Sequence, residues 1–128
     1  MMERVFKTAW FARAAKKAKI ADQELCRAIR QVMLGQADDL GGGVFKKRLD
    51  KNRSRSIILA KGGRYWVYAY LFAKKDRPNI GHSELVEFRA VADLYSHKTD
   101  VEIAMEIQRR ELVEICHDEQ EQVQERCF

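Results

Sequence analysis

Apolar residues recur at helical spacing in four stretches of the chain and alternate, or run together, in the strands between them. In WFARAAKKAK (10–19), Phe11, Ala14, Ala15 and Ala18 fall three and four apart, with Arg13, Lys16 and Lys17 directed outward. Leu25, Ile29, Val32 and Met33 repeat that stripe behind Asp22, a predicted N-cap, and the second helix ends near Gly35. Two short consecutive helices predict an αα-hairpin. Ahead of them, ERVFKT (3–8) reads as a short strand, and DDLGGG (38–43) reads as loop. VFKKRL (44–49), RSIILAK (55–61) and RYWVYAYLFAK (64–74) are rich in β-branched and aromatic residues and predict three strands. After Pro78, Ser83 is placed to cap a helix over 84–95 whose stripe is Leu85, Phe88, Ala92 and Tyr95. Thr99-Asp-Val-Glu102 has the form of a capping box opening a further helix to about residue 110. ELVEIC (111–116) alternates like a final strand and fits a continued helix nearly as well. The expected class is α+β: an N-terminal strand and helical hairpin packed on a small, mainly antiparallel sheet, with C-terminal helices. Residues 1–116 form one domain in this reading, and the polar stretch 117–128 is a flexible tail.

Gly62-Gly63 is a strong two-residue hairpin signal. A turn there pairs Lys61 with Arg64, Leu59 with Trp66, Ile57 with Tyr68 and Arg55 with Tyr70. Because faces alternate along a strand, Ser56, Ile58 and Ala60 then share one face with Tyr65, Val67, Ala69, Leu71 and Ala73, mostly small and apolar and suited to packing under the helical hairpin. The other face carries Arg55, Ile57 and Leu59 with Trp66, Tyr68, Tyr70, Phe72 and Lys74: rings with cations at the ends. A slip of one residue would exchange these sets.

Charge sharpens the picture. Residues 1–80 hold 19 Lys and Arg against 7 Asp and Glu, a balance of +12, whereas residues 81–128 carry −7, for a net +5. The positive charge concentrates between residues 46 and 77, and a basic body of this kind attracts phosphate. No apolar run approaches the 18 or so residues that span a bilayer, and the N-terminus lacks the apolar stretch of a signal peptide. Cys26, Cys116 and Cys127 are odd in number and form no CxxC pair, so no disulfide framework is expected, and the chain reads as cytoplasmic. His82, His97 and His117 lie far apart and away from the cysteines, which argues against a metal site. The glycine triplet lacks the Lys-Ser or Lys-Thr of a P-loop.

Cations beside rings suit RNA, whose bases stack on aromatics while Lys and Arg hold the backbone. RNA also carries its own nucleophile. A protein that deprotonates the 2′-hydroxyl, neutralises the phosphorane and protonates the leaving 5′-oxygen cleaves it without cofactor or metal.

Three segments carry a family resemblance. They are Gly43-Val-Phe-Lys-Lys-Arg48, Arg53-Ser-Arg-Ser-Ile-Ile-Leu59 and Tyr70-Leu-Phe-Ala-Lys-Lys-Asp-Arg-Pro-Asn-Ile80. They resemble the G-x-x-K-x-R strand, the arginine-bearing strand and the F-x-K-x-x-x-x-N-[LI] strand and turn of the RelE toxins of type II toxin–antitoxin modules and their relative HigB. VFKTAWFARAAKKAKI is similar to that family's opening strand and helix. The resemblance covers roughly residues 4–95. It implies a RelE-like fold and a toxin that docks in the ribosomal A site, cuts the mRNA there and is neutralised by a cognate antitoxin. On this chain it implies Lys46 or Lys47 as base with Arg48 beside it, Arg55 on the phosphate and Lys74 as a later cation; the family's late Tyr is missing from its expected place near the C-terminus, and Tyr70, Tyr68 or His82 are the substitutes for the acid. Lys51, Arg53, Lys61, Arg64, Lys75 and Arg77 are the expected flanking RNA contacts. A ParE-like gyrase inhibitor and a non-catalytic RNA-binding module are the alternatives.

Overall fold

The computed structural model describes residues 3–61 and 65–116. The elements run β1 (Arg4–Thr8), α1 (Ala9–Lys17), α2 (Asp22–Met33), β2 (Asp38–Gly41), β3 (Val44–Leu49), β4 (Ser54–Lys61), β5 (Tyr65–Ala73), α3 (His82–His97), α4 (Asp100–Gln108) and β6 (Leu112–Ile115). The strands make one six-stranded sheet in the order β2-β3-β4-β5-β1-β6, with β1 parallel to β5 and the other neighbours antiparallel. The α+β expectation holds, and 111–116 resolves as a strand.

Each face of the sheet buries its own core. Phe11, Ala15, Leu25 and Ile29 of the α1–α2 hairpin pack on Val5, Ile58, Trp66 and Tyr68. On the opposite face Ala92 and Ile103 of the C-terminal helices, with Phe88 half-buried, meet Phe6, Ile57, Leu59 and Phe72. The helical stripes are mostly as expected, but Ala18 and Met33 are exposed.

Local chemistry sets the boundaries. The Thr8 hydroxyl accepts from the Phe11 amide at 3.1 Å and caps α1. Thr99 and Glu102 form the expected capping box on α4. Two caps differ from expectation. Ala21 precedes α2, and the Asp22 carboxylate instead takes Lys7 Nζ at 2.7 Å. Helix α3 starts at a Gly81 cap rather than Ser83, because Glu84 reaches back to accept the Gly81 amide at 2.7 Å.

DDLGGG is not loop throughout: Asp38–Gly41 is an edge strand on β3. Gly43 (φ +84°) passes so close to β4 that a Cβ there would lie 2.4 Å from the Ala60 carbonyl oxygen, and only glycine fits. Arg89 of α3 binds the carbonyls of Leu40 and Gly41, tying this corner to the helix.

The cysteines also depart from expectation. Cys26 of α2 and Cys116, just beyond β6, form a disulfide with their Cα atoms 5.3 Å apart. The fold brings together residues 90 apart in sequence, a proximity that spacing alone does not reveal. The third cysteine, Cys127, and the expected tail 117–128 lie outside the described residues.

Candidate nucleic-acid interface

The site is built on the β3–β4–β5 meander, whose register differs from the expected one. Lys61 pairs with Tyr65, Leu59 with Val67 and Ile58 with Tyr68. The expected register placed each partner one residue earlier. Trp66 and Tyr68 therefore turn to the hairpin face rather than joining Arg55. Tyr68 is fully buried, its hydroxyl donates to the Leu25 carbonyl at 2.7 Å, and burial drives its pKa strongly upward. It is no part of the site. The register then shifts: Ile57 pairs with Tyr70, leaving Ala69 as the extra residue of a bulge. That bulge returns Tyr70 and Phe72 to the face of Arg55 and Ile57.

Pairing of β3 with β4 separates the two candidate lysines. Lys46 lies opposite Ile57, Lys47 opposite Ser56, and Arg48 opposite Arg55. Lys46 and Arg48 thus share the face of Arg55, whereas Lys47 points to the hairpin side, where its Nζ donates to the Gln36 carbonyl at 2.9 Å. Partial burial lowers the Lys47 pKa below the usual lysine value, and the Arg48 charge lowers it further. Lys46 Nζ stands 3.6 Å from the Asp38 carboxylate across the β2–β3 edge. Gln36, Ala37 and Asp38 with Lys46, Lys47 and Arg48 line a recess of about 230 Å³ there.

Arg55 is 8% exposed. Its Nη1 donates to the carbonyls of Asn52 at 3.0 Å and Ser54 at 3.2 Å, and Arg48 faces it directly. Among the described residues neither arginine forms an ion pair. Like charges directly opposed on a sheet repel, and a buried cation without a counterion is costly. An anion between or beside them would relieve both penalties.

Rings adjoin these cations. Phe72 lies opposite Arg55, and Tyr70 stacks on Trp10 with centroids 5.0 Å apart and planes at 26°. Phe72 and Phe88 approach Tyr70 at 5.9 and 5.8 Å. Arg77 sits 5.6 Å above the Phe72 ring and grips Glu84 through two bonds of 3.1 and 2.5 Å. That grip, helped by the Gly81 amide, holds the Glu84 carboxyl below its ordinary pKa.

Other expected residues fall elsewhere. Lys74, just past the end of β5, lines a groove on the hairpin side with Arg53 and Lys75 rather than joining Arg55. Arg53 pairs with Asp50 at 2.9 Å. Lys51 is exposed in the β3–β4 turn, and His82 is exposed at the first position of α3. Lys61 closes β4, at the far end from that turn; its side chain, Arg64 and the Gly62-Gly63 turn lie outside the described residues. Among the described residues no group of three or more His, Cys, Asp or Glu side chains is placed to hold a metal ion, and no helix is long and apolar enough to cross a membrane.

Sequence reasoning missed Trp10 and Glu24. Trp10 falls outside the Phe11–Ala14–Ala15–Ala18 stripe and is 44% exposed, a signal for an aromatic kept at the surface. Glu24 accepts the Asp50 amide at 2.5 Å, a tertiary contact with no local sequence signature.

A family model described as the RelE toxin of the RelE / RelB toxin–antitoxin system matches residues 3–115. The chain belongs to the RelE toxin family. No match to a curated protein was found. The RelE match spans every strand and helix from β1 to β6, so it includes α4 and β6, which lie beyond the 4–95 stretch of the sequence resemblance. Arg48, Arg55, Tyr70 and Trp10 all fall within the RelE span.

Proposed function

We propose that this RelE-family toxin is a ribosome-dependent mRNA endonuclease, acting in the cytoplasm and neutralised by an antitoxin. The observation that carries the reading is the directly opposed Arg48–Arg55 pair, without a carboxylate among the described residues and beside Lys46, Tyr70 and Phe72. A scissile phosphate supplies the missing counterion. Lys46 takes the proton of the 2′-hydroxyl, whose oxygen attacks the adjacent phosphorus. Arg48 and Arg55 hold the charge that gathers on the phosphorane oxygens, with bidentate donors suited to phosphate. Tyr70, packed against the Phe72 ring, donates a proton to the departing 5′-oxygen, leaving a 2′,3′-cyclic phosphate and a 5′-hydroxyl. Trp10, stacked on Tyr70 and partly exposed, offers a surface for a neighbouring base. The antitoxin, in this reading, covers the same face with carboxylates.

Expression of the wild type should arrest growth and truncate transcripts on translating ribosomes, and Arg55→Ala should restore growth. Arrest with intact mRNA and induction of the DNA-damage response would overturn this reading in favour of gyrase inhibition. RNA binding without arrest would leave a non-catalytic module. Geometry also separates the lysines. Lys46→Ala should slow cleavage by roughly 10²–10⁴, the range for loss of a general base, and Lys47→Ala by less than about tenfold. Equal losses would remove Lys46 from its assigned role.

A further inference from the structure

We propose that a groove at the turn end of the sheet, on the opposite face from Arg48 and Arg55, binds the sugar–phosphate backbone of the RNA strand that flanks the cut. This rests on the endonuclease reading and says where the remainder of the strand runs.

The groove has a volume of about 920 Å³, and its polar lining includes Lys19, Asn52, Arg53, Ser54, Lys74 and Lys75. Its cations come from two distant parts of the chain. Lys19 follows α1 in a left-handed conformation (φ +59°), fixed by hydrogen bonds that the Lys19 amide donates to the Lys16 carbonyl at 3.1 Å and the Ile20 amide to that of Ala15 at 2.9 Å. Lys74 extends the β4–β5 ladder, its amide donating to the Arg53 carbonyl at 2.9 Å. Among the described residues Asp50 is the one carboxylate in the lining, and it is already engaged by Arg53. Lys19, Lys74 and Lys75 form no ion pair among the described residues. Three lysines therefore line a cavity of ligand size in which, among the described residues, no carboxylate is left to match them.

A second observation links the groove to the candidate cleavage site. Trp10 stacks on Tyr70, and the outward side of α1 carries Trp10, Arg13, Lys16 and Lys17 around a recess of about 570 Å³. Lys19 comes next. A basic track with an exposed ring at its head thus leads from Tyr70 along α1 into the groove. Rings followed by spaced cations suit single-stranded RNA, with bases on the ring and phosphates on the lysines. An acidic protein segment would use the lysines and leave the ring without a role.

The test uses the full chain and a labelled 12-nucleotide 2′-O-methyl RNA, which binds but cannot be cut. Anisotropy is followed against salt for the wild type, for a Lys19→Ser/Lys74→Ser/Lys75→Ser variant, and for the same positions changed to Arg. Each phosphate contact on a single strand contributes about 0.7 to the logarithmic salt slope, so losing three should lower it by about 2 and weaken binding roughly 10- to 100-fold at 0.1 M salt. The Arg variant should bind like the wild type. Unchanged affinity and slope in the Ser variant would overturn the groove. So would retained RNA binding with lost affinity for a glutamate-rich 12-residue peptide, which would assign the lysines to a protein partner. Failure of the endonuclease reading is seen separately, as intact transcripts on expression of the wild type.

Discussion

Arg48 and Arg55 face each other across β3 and β4 at a cost to the free protein. Opposed like charges on a sheet are destabilising, by up to about 1 kcal/mol. Arg48→Thr should therefore raise the melting temperature by a few degrees while abolishing transcript cleavage, the pattern of a site held at the expense of stability. A variant both less stable and less active would mean that Arg48 is structural. Glu84 gives a pH prediction. Its carboxyl is held below the ordinary 4.5 first by Arg77 and then by the Gly81 amide. A lowered folded pKa adds stability that is present above the unfolded value and is lost as the pH falls through the folded one. Acid melting curves should accordingly fall more steeply for the wild type than for Glu84→Gln below about pH 4.5, and parallel curves would show that solvent screens the pair. The clustering of cations beside rings was legible, because it is a matter of composition. Which lysine shares a face with Arg55 was not, because that depends on pairing with β4.

The β3–β4 turn shows what elements add. Asp50, Lys51 and Asn52 all have left-handed backbones, at φ +55°, +51° and +72°, and none is glycine. A left-handed conformation costs roughly 1–2 kcal/mol per residue, so the surroundings must hold the turn in place. Glu24 of α2 accepts the Asp50 amide, and the Asn52 carbonyl in turn receives Arg55 Nη1 at 3.0 Å. The helical hairpin thereby reaches Arg55 through one carboxylate and the turn it holds. Glu24→Ala should cost about 1–3 kcal/mol in urea unfolding, as expected when a part-buried donor loses its partner. It should also reduce cleavage, whereas Glu24→Gln, which keeps an acceptor, should recover most of both. Loss of stability with full activity would uncouple the turn from Arg55. Helices and most strands were readable from periodicity. The edge strand β2 was not, because Asp38-Asp39-Leu40-Gly41 has poor strand propensity and is held by β3 and Arg89. The bulge at Ala69 was also hidden. The expected register was one residue off from Lys61 to Ile58 and two off beyond the bulge, where Tyr70 pairs with Ile57 rather than Arg55; an offset of two restores the face, so Arg55 and Tyr70 share one by a route that the hairpin rule does not contain.

At the scale of the molecule, the disulfide joins two layers that the sequence gives no reason to connect. Cys26 lies on α2, in the layer that carries Glu24, and Cys116 follows the edge strand β6. Both pack, partly buried, against the same hydrophobic cluster. Closing a loop of about 90 residues restricts the unfolded chain, and the chain-entropy account puts this at about 4–5 kcal/mol, an upper figure because strain and residual structure reduce it. Two-electron reduction by a small thiol converts the bond to two thiols and removes the constraint while leaving the surrounding packing in place. Urea unfolding should then shift to lower concentration in dithiothreitol and in Cys26→Ser/Cys116→Ser, with the double variant indifferent to the reductant. Thiol titration under denaturing conditions should count two fewer thiols before reduction than after. A full count of thiols without reductant, together with identical unfolding curves in both conditions, would show that the cysteines stay reduced. The hydrophobic cluster alone would then hold α2 to β6, and Glu24 would keep its place over the turn without a covalent staple.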